Sequence, residues 1–212
     1  FISHLDTKWF YLIDPNGART QLASASSAVD GPAFERFDNL ALNNSNEVLT
    51  IVTASTASSP ASLALFANGQ RTELYRTNRR IDVAGLNDLG DFAYVEAPVD
   101  WWVNHYELWV KQRTASGIFG YDILQHDSRP STGWANFGMT LNNHRQVAYS
   151  QLVKDPNTGV TTEYLHAGYA QPVISWTSLA QTTQYGHRVY ETGINDQGRY
   201  AYYGSISATN NY

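Results

Sequence analysis

Few residues of this 212-residue chain stand at the spacings that chemistry requires. Its six histidines, His4, His105, His126, His144, His166 and His187, are scattered. None falls into the HxH, HxxxH or HExxH pattern that brings two imidazoles to one metal, so no metal or other cofactor is expected. Cysteine is absent, which excludes thiolate catalysis, CxxC redox chemistry, a disulfide scaffold and Cys-based zinc sites. Neither the GxSxG or SxxK nucleophile motifs nor the glycine-rich phosphate loops occur. Two neighbourhoods do combine acid, base and cation. His126 lies in Gln125-His126-Asp127-Ser128-Arg129, expected to be a loop on a β scaffold, where function usually sits. In Tyr185-Gly186-His187-Arg188-Val189-Tyr190, Tyr185 and His187 could abstract a proton in polysaccharide β-elimination while Arg188 neutralises a uronate carboxylate. The plainer reading makes these histidines surface or hydrogen-bonded strand residues, with Val189 and Tyr190 in strand packing.

Aromatic residues give the stronger signal: 6 Trp and 14 Tyr against 8 Phe. Such amphipathic rings stack on sugar faces or protein partners while offering a donor at the edge. Trp101 and Trp102, in Asp100-Trp101-Trp102-Val103-Asn104-His105, point to opposite sides if the segment is extended, which leaves one available to a ligand. Trp134, in Gly133-Trp134-Ala135-Asn136-Phe137, is the third candidate. Packing between sheets is the competing explanation for all three.

The elements that must hold these residues are read from a phrase that occurs four times. The copies are Leu42-Asn43-Asn44-Ser45-Asn46-Glu47-Val48-Leu49, Leu86-Asn87-Asp88-Leu89-Gly90-Asp91-Phe92-Ala93, Leu141-Asn142-Asn143-His144-Arg145-Gln146-Val147-Ala148 and Ile194-Asn195-Asp196-Gln197-Gly198-Arg199-Tyr200-Ala201. Asn and Asp side chains bond backbone two residues on and Gly supplies a left-handed position, so the phrase predicts a turn. Calcium ligation by Asp88 and Asp196 with Asn43, Asn44, Asn142 and Asn143 is disfavoured, because a dedicated site wants several carboxylates at alternate positions. The sequon Asn43-Asn44-Ser45 falls inside this turn, which favours chance over glycosylation.

Upstream of each phrase runs an alternating apolar segment, a glycine turn and another alternating segment: Trp9–Ile13 to Arg19–Leu22, Leu63–Phe66 to Arg71–Leu74, Tyr106–Val110 to Tyr121–Leu124, and Glu163–His166 through Ala167-Gly168 to Pro172–Trp176. This is a hairpin signature, and no segment carries a 3.6-residue stripe. Each unit then reads as two hairpins, with the phrase linking third and fourth strands. The expected fold is an all-β, propeller-like array of four four-stranded antiparallel blades, spanning about 7–54, 61–97, 105–153 and 161–208 within one domain. Proline-bearing gaps at 53–61, 96–100 and 154–159 are expected to be inter-blade crossovers. The units would close as a four-bladed ring or form a section of a larger propeller.

The recurring aliphatic-Asn-Asn/Asp-x-Gly phrase resembles the GINNxGQVVG-type repeats of β-propeller-like bacterial extracytoplasmic proteins. Leu86–Gly90 and Ile194–Gly198 carry the likeness, while Asn46 and Arg145 depart from it where Gly is expected. The resemblance implies an extracellular, cell-surface or periplasmic setting and no particular activity. A net charge of −5, with 3 Lys and 11 Arg, offers no basic stripe for nucleic acid. With 42% hydrophobic and 16% charged residues and no apolar run near 20 residues, a soluble globular chain without membrane insertion is expected. The start at Phe1, with no basic and apolar leader, suggests a processed protein or part of a longer one. The function expected is non-enzymatic: a recognition or scaffolding module that binds polysaccharide or protein through loops and exposed aromatics. The alternatives are a polysaccharide lyase or hydrolase using His126, Tyr185, His187 and Arg188, and a structural subunit that self-associates through open strand edges.

Overall fold

The computed structural model describes residues 7–13, 15–26, 35–54, 60–97, 106–117, 119–127, 133–154, 157, 161–169, 176–182 and 187–206. Among them the chain is all β, without helices, in several small antiparallel sheets. Glycine-turn hairpins join β1 (Thr7–Ile13) to β2 (Arg19–Ser26), β5 (Ala61–Ala67) to β6 (Gln70–Thr77) and β9 (Tyr106–Arg113) to β10 (Phe119–Asp127). The strands β13 (Thr161–Tyr169) and β14 (Trp176–Thr182) form the fourth antiparallel pair of this kind, without a glycine between them. There Ala167-Gly168 is not a turn but strand, opposite Ala148 and Val147.

The asparagine phrase closes the other four hairpins. They are β3 (Glu35–Leu42) with β4 (Val48–Ala54), β7 (Arg80–Leu86) with β8 (Phe92–Ala97), β11 (Gly133–Leu141) with β12 (Gln146–Lys154), and β15 (His187–Ile194) with β16 (Tyr200–Ile206).

The sheets are framed differently from the sequence expectation. They are the meanders β3-β4-β5-β6, β7-β8-β9-β10 and β11-β12-β13-β14, flanked by the two-stranded β1-β2 and β15-β16. The phrase therefore joins the first and second strands of each sheet, not the third and fourth. The gaps at 53–61, 96–100 and 154–159 connect strands that pair with each other, not separate blades. The reason lies in burial. Val48–Val52 and Ala61–Phe66 are continuously buried, as strands covered on both faces must be, whereas β6 is exposed along its first half. Two strands covered on both faces belong side by side in the middle of a sheet. The short link Asn78-Arg79 then crosses from one sheet to the next.

Successive sheets pack face to face, with alternate residues of one strand entering different cores. Val48 and Val52 join Ala64, Phe66, Leu12, Leu22 and Phe37 between β1-β2 and the first meander. Leu49 and Ile51 face the other way and meet Ala84, Leu86, Phe92 and Tyr94 of the second. Ala93 and Val95 turn from those toward Met139, Leu141, Val147 and Tyr149 of the third. Strands β3, β7, β11 and β15 consequently stand in a row, each packing on the next. A bulge residue reinforces the row: Asn39, at φ 53°, accepts the Ala84 amide at 3.0 Å.

Candidate functional site

The row of inner strands brings the four phrases together at one end of the array. Each phrase closes in the same way. The first Asn amide donates to the carbonyl four residues on, as from Asn43 to Glu47 at 3.1 Å and Asn87 to Asp91 at 3.0 Å. Its side-chain oxygen accepts amides across the turn, from Ser45 and Glu47 to Asn43, from His144 and Gln146 to Asn142, and from Gln197 and Arg199 to Asn195. The fourth residue after the aliphatic one is left-handed in every copy: Asn46 at 59°, Gly90 at 79°, Arg145 at 60° and Gly198 at 72°. The two copies that lack Gly thus keep the same turn and tolerate a side chain there.

The side-chain amide completes a ladder between turns. Asn43 Nδ2 donates to Asn87 O at 3.0 Å, Asn87 Nδ2 to Asn142 O at 3.0 Å, and Asn142 Nδ2 to Asn195 O at 2.8 Å. The next residue forms a second rail. The Asn44 amide donates to Asp88 Oδ1 at 2.8 Å, the Asp88 amide to Asn143 Oδ1 at 2.9 Å, and the Asn143 amide to Asp196 Oδ1 at 2.8 Å. The Asn44 amide, followed by the Asn143 side chain, holds the Asp88 carboxyl below its ordinary pKa. Asn43 is buried and its Nδ2 is engaged by Glu47 and Asn87, so the sequon nitrogen is committed to the fold.

Together the turns line an open cleft of about 330 Å³, through Leu42, Leu86, Leu141 and Ile194 with the amides and carboxylates of the two rails. A cleft lined by aliphatic side chains together with amide and carboxylate groups can hold a hydroxylated or amide-bearing ligand. No model of a known protein family and no curated protein matches the chain.

Behind the turns lies a charged cluster. Arg113 Nη1 donates to both Glu47 oxygens at 2.8 and 3.0 Å, the Arg113 amide donates to Asp91 Oδ1 at 2.7 Å, and Arg145 Nε to Asp91 Oδ2 at 2.8 Å. A Cβ on Gly90 would lie 2.3 Å from Arg113 Nη1, so glycine there admits the guanidinium.

A second cluster gathers residues that sequence spacing does not connect. The buried Glu96 accepts Tyr75 Oη at 3.1 Å and Thr77 Oγ1 at 2.5 Å, and it faces Glu107 on the neighbouring strand. Arg79 pairs with Glu107 at 2.7 Å and approaches Glu96 at 3.7 Å. Burial, then the Glu96 charge, raises the Tyr75 pKa. Arg79 lies in the link between β6 and β7, so its guanidinium fastens that crossover to β8 and β9. The cluster is readable only after folding, because its members come from three segments.

Of the sequence-selected residues, those that the structure describes are not among the residues lining the cleft. Trp101, Trp102 and Tyr185 lie outside the described residues. Trp134 is in β11 opposite Val153, His126 is in β10 opposite Glu107, and His187 and Arg188 open β15 opposite Ile206 and Ser205. His126 is thus a strand residue, not a loop residue, and stands on a different sheet from His187. Among the described residues no group of three His, Asp or Glu could hold a metal ion, and no helix is long and apolar enough to cross a membrane.

Proposed function

We propose that the chain is a propeller-like recognition module that binds carbohydrate in the cleft formed by the four asparagine turns. The observation that carries this reading is that Leu42, Leu86, Leu141 and Ile194 line one cleft together with Asn44, Asp88, Asn143 and Asp196. A propeller is favoured by the meander order of the sheets, by the row of inner strands, and by the resemblance to extracytoplasmic repeats. That resemblance also supports an extracellular, cell-surface or periplasmic setting. The cleft offers hydrogen-bonding groups on a rigid β frame, which suits recognition. The lyase or hydrolase alternative depends on Tyr185, which lies outside the described residues, and on His126, His187 and Arg188, which stand on strands away from the residues that line the cleft.

The test is calorimetric titration against neutral and acidic polysaccharides, with reducing ends and unsaturated uronate assayed in the same samples. Saturable binding that Asp196→Ala weakens by about tenfold, without product, is the expected result. Product formation would transfer the protein to the enzymatic class. Binding that Asp196→Ala leaves intact and Trp101→Ala abolishes would move the site to the aromatic segment.

A further inference from the structure

Among the described residues, both ends of the array are half sheets. The β1-β2 hairpin has the outer-hairpin type and lacks an inner pair, while β15-β16 has the inner-hairpin type and lacks an outer pair. The outer edge of β16 and the corresponding edge of β1 carry no strand partner among the described residues.

Counting from the turn asparagine identifies what each end is missing. Leu42 is 57% exposed, whereas its counterparts Leu86 and Leu141 are 7% and 6% exposed because the preceding sheet covers them. Leu40, two residues before, is exposed as well. At the other end Tyr200 is 45% exposed, against 1% for its counterpart Phe92. Asn195 is also exposed, although Asn43, Asn87 and Asn142 are buried by the next turn.

The two open faces match. A Cβ on Gly85 would meet Met139 Cγ at 3.3 Å and Leu141 N at 3.5 Å, while one on Gly193, at the equivalent position, meets nothing within 4 Å. Met139 and Leu141 correspond to Leu40 and Leu42, which are the residues left uncovered at the start of the array.

The ends of the rails match too. The second rail alternates Asn44, Asp88, Asn143, Asp196, so an Asp196-to-Asn44 junction continues the alternation and avoids placing two carboxylates together. Asp88 Oδ2 accepts side-chain amides from both neighbours, Asn44 at 2.8 Å and Asn143 at 3.2 Å. Asp196 accepts one, from Asn143 at 2.9 Å.

We propose that two copies of this chain associate head to tail, the β15-β16 hairpin of each completing the β1-β2 half sheet of the other. The inference rests on the repeat architecture and not on the ligand of the cleft. Arg19–Leu22 repeats Arg71–Leu74, and Ile13 faces Arg19 as Phe66 faces Arg71. Since Val48 pairs with Phe66, its counterpart Tyr200 pairs with Ile13 of the second copy. Ile13 is 59% exposed in the single chain and Phe66 is 2% exposed. Closure of one chain on itself would cover Leu40, Leu42 and Tyr200, which stand exposed. Two copies give three meanders each and two composite sheets, a ring of about eight, within the usual range for propellers. A head-to-tail contact of this kind closes when the rotation fits and otherwise propagates as a filament.

The absence of cysteine makes the junction easy to trap. Light scattering on the purified chain is expected to give twice the 23.7 kDa chain mass, and Leu40→Asp is expected to return it to the monomer. Ile13→Cys and Tyr200→Cys variants, mixed and oxidised, are expected to yield a disulfide-linked dimer that neither forms alone. A monomeric wild type overturns the proposal, as does a fast-migrating internal disulfide in the double variant, or a dimer that the mixed cysteines fail to trap. Filament growth overturns the closed two-copy ring. Because Leu40 is exposed, a folded Leu40→Asp monomer separates failed association from failed folding, and polysaccharide titration of that monomer reads the cleft independently.

Discussion

Arg145 carries two opposing effects on one residue. Its left-handed φ of 60° costs about 1 kcal/mol for a residue with a Cβ, while its guanidinium bonds to the nearly buried Asp91 carboxylate at 2.8 Å. Asn46 has the same backbone strain without an ion pair, and asparagine tolerates it better. Replacing each by glycine separates the two effects. Asn46→Gly is expected to raise stability by about 0.5 kcal/mol by releasing strain. Arg145→Gly is expected to lower it by about 1 kcal/mol, because removing the half-exposed cation takes a charged partner from the buried Asp91 carboxylate, which outweighs the relief. Urea unfolding of both variants checks this; equal gains would show that the Asp91 contact contributes nothing.

At the scale of the turn, the rails depend on a charge. The Asp88 carboxyl is held below its ordinary value of 3.8 chiefly by the Asn44 amide, so protonation is harder in the folded state than in the unfolded one. A depressed folded pKa contributes stability that is fully present above the ordinary value and is lost as pH falls through the folded one. Asp88→Asn should therefore be less stable than the parent at about pH 6 and approach it only as the pH falls below the ordinary value of 3.8 and through the lower folded one. A constant gap in thermal midpoint across that range would remove Asp88 from the acid response. The turns themselves were legible in the sequence, because an asparagine phrase repeated four times has one local cause. Their departures at Asn46 and Arg145 were legible as well. The frame of the sheets was not, since alternation locates strands without saying which hairpin begins a sheet; that depends on β4 pairing with β5 across a proline-bearing gap. Nor was the cluster of Tyr75, Arg79, Glu96 and Glu107 legible, whose members share no spacing. The cleft lay between these cases: the phrases that line it were visible, and only the row of β3, β7, β11 and β15 shows that they meet.

The molecule as a whole behaves as a line of sheets in which each element is stabilised by its neighbours. The middle meander has a packed sheet on both faces, through Phe92 and Tyr94 on one side and Ala93 and Val95 on the other. Among the described residues the terminal hairpins have one neighbour and an unpaired edge. Local opening free energies in such a line rise from the ends toward the centre. Amide hydrogen exchange in dilute solution, where single chains prevail, should show β8 as the slowest strand, β4 and β12 next, and β1 and β16 the fastest. The same order is expected on warming, with the end hairpins lost before the central sheet. Raising protein concentration then tests what the ends are doing. Slowing confined to β1, β3, β15 and β16, with β8 unchanged, locates the new contacts at the junction of two copies. Uniform exchange along all strands at both concentrations would mean that the chain unfolds as one cooperative block and that its ends are stabilised within a single copy.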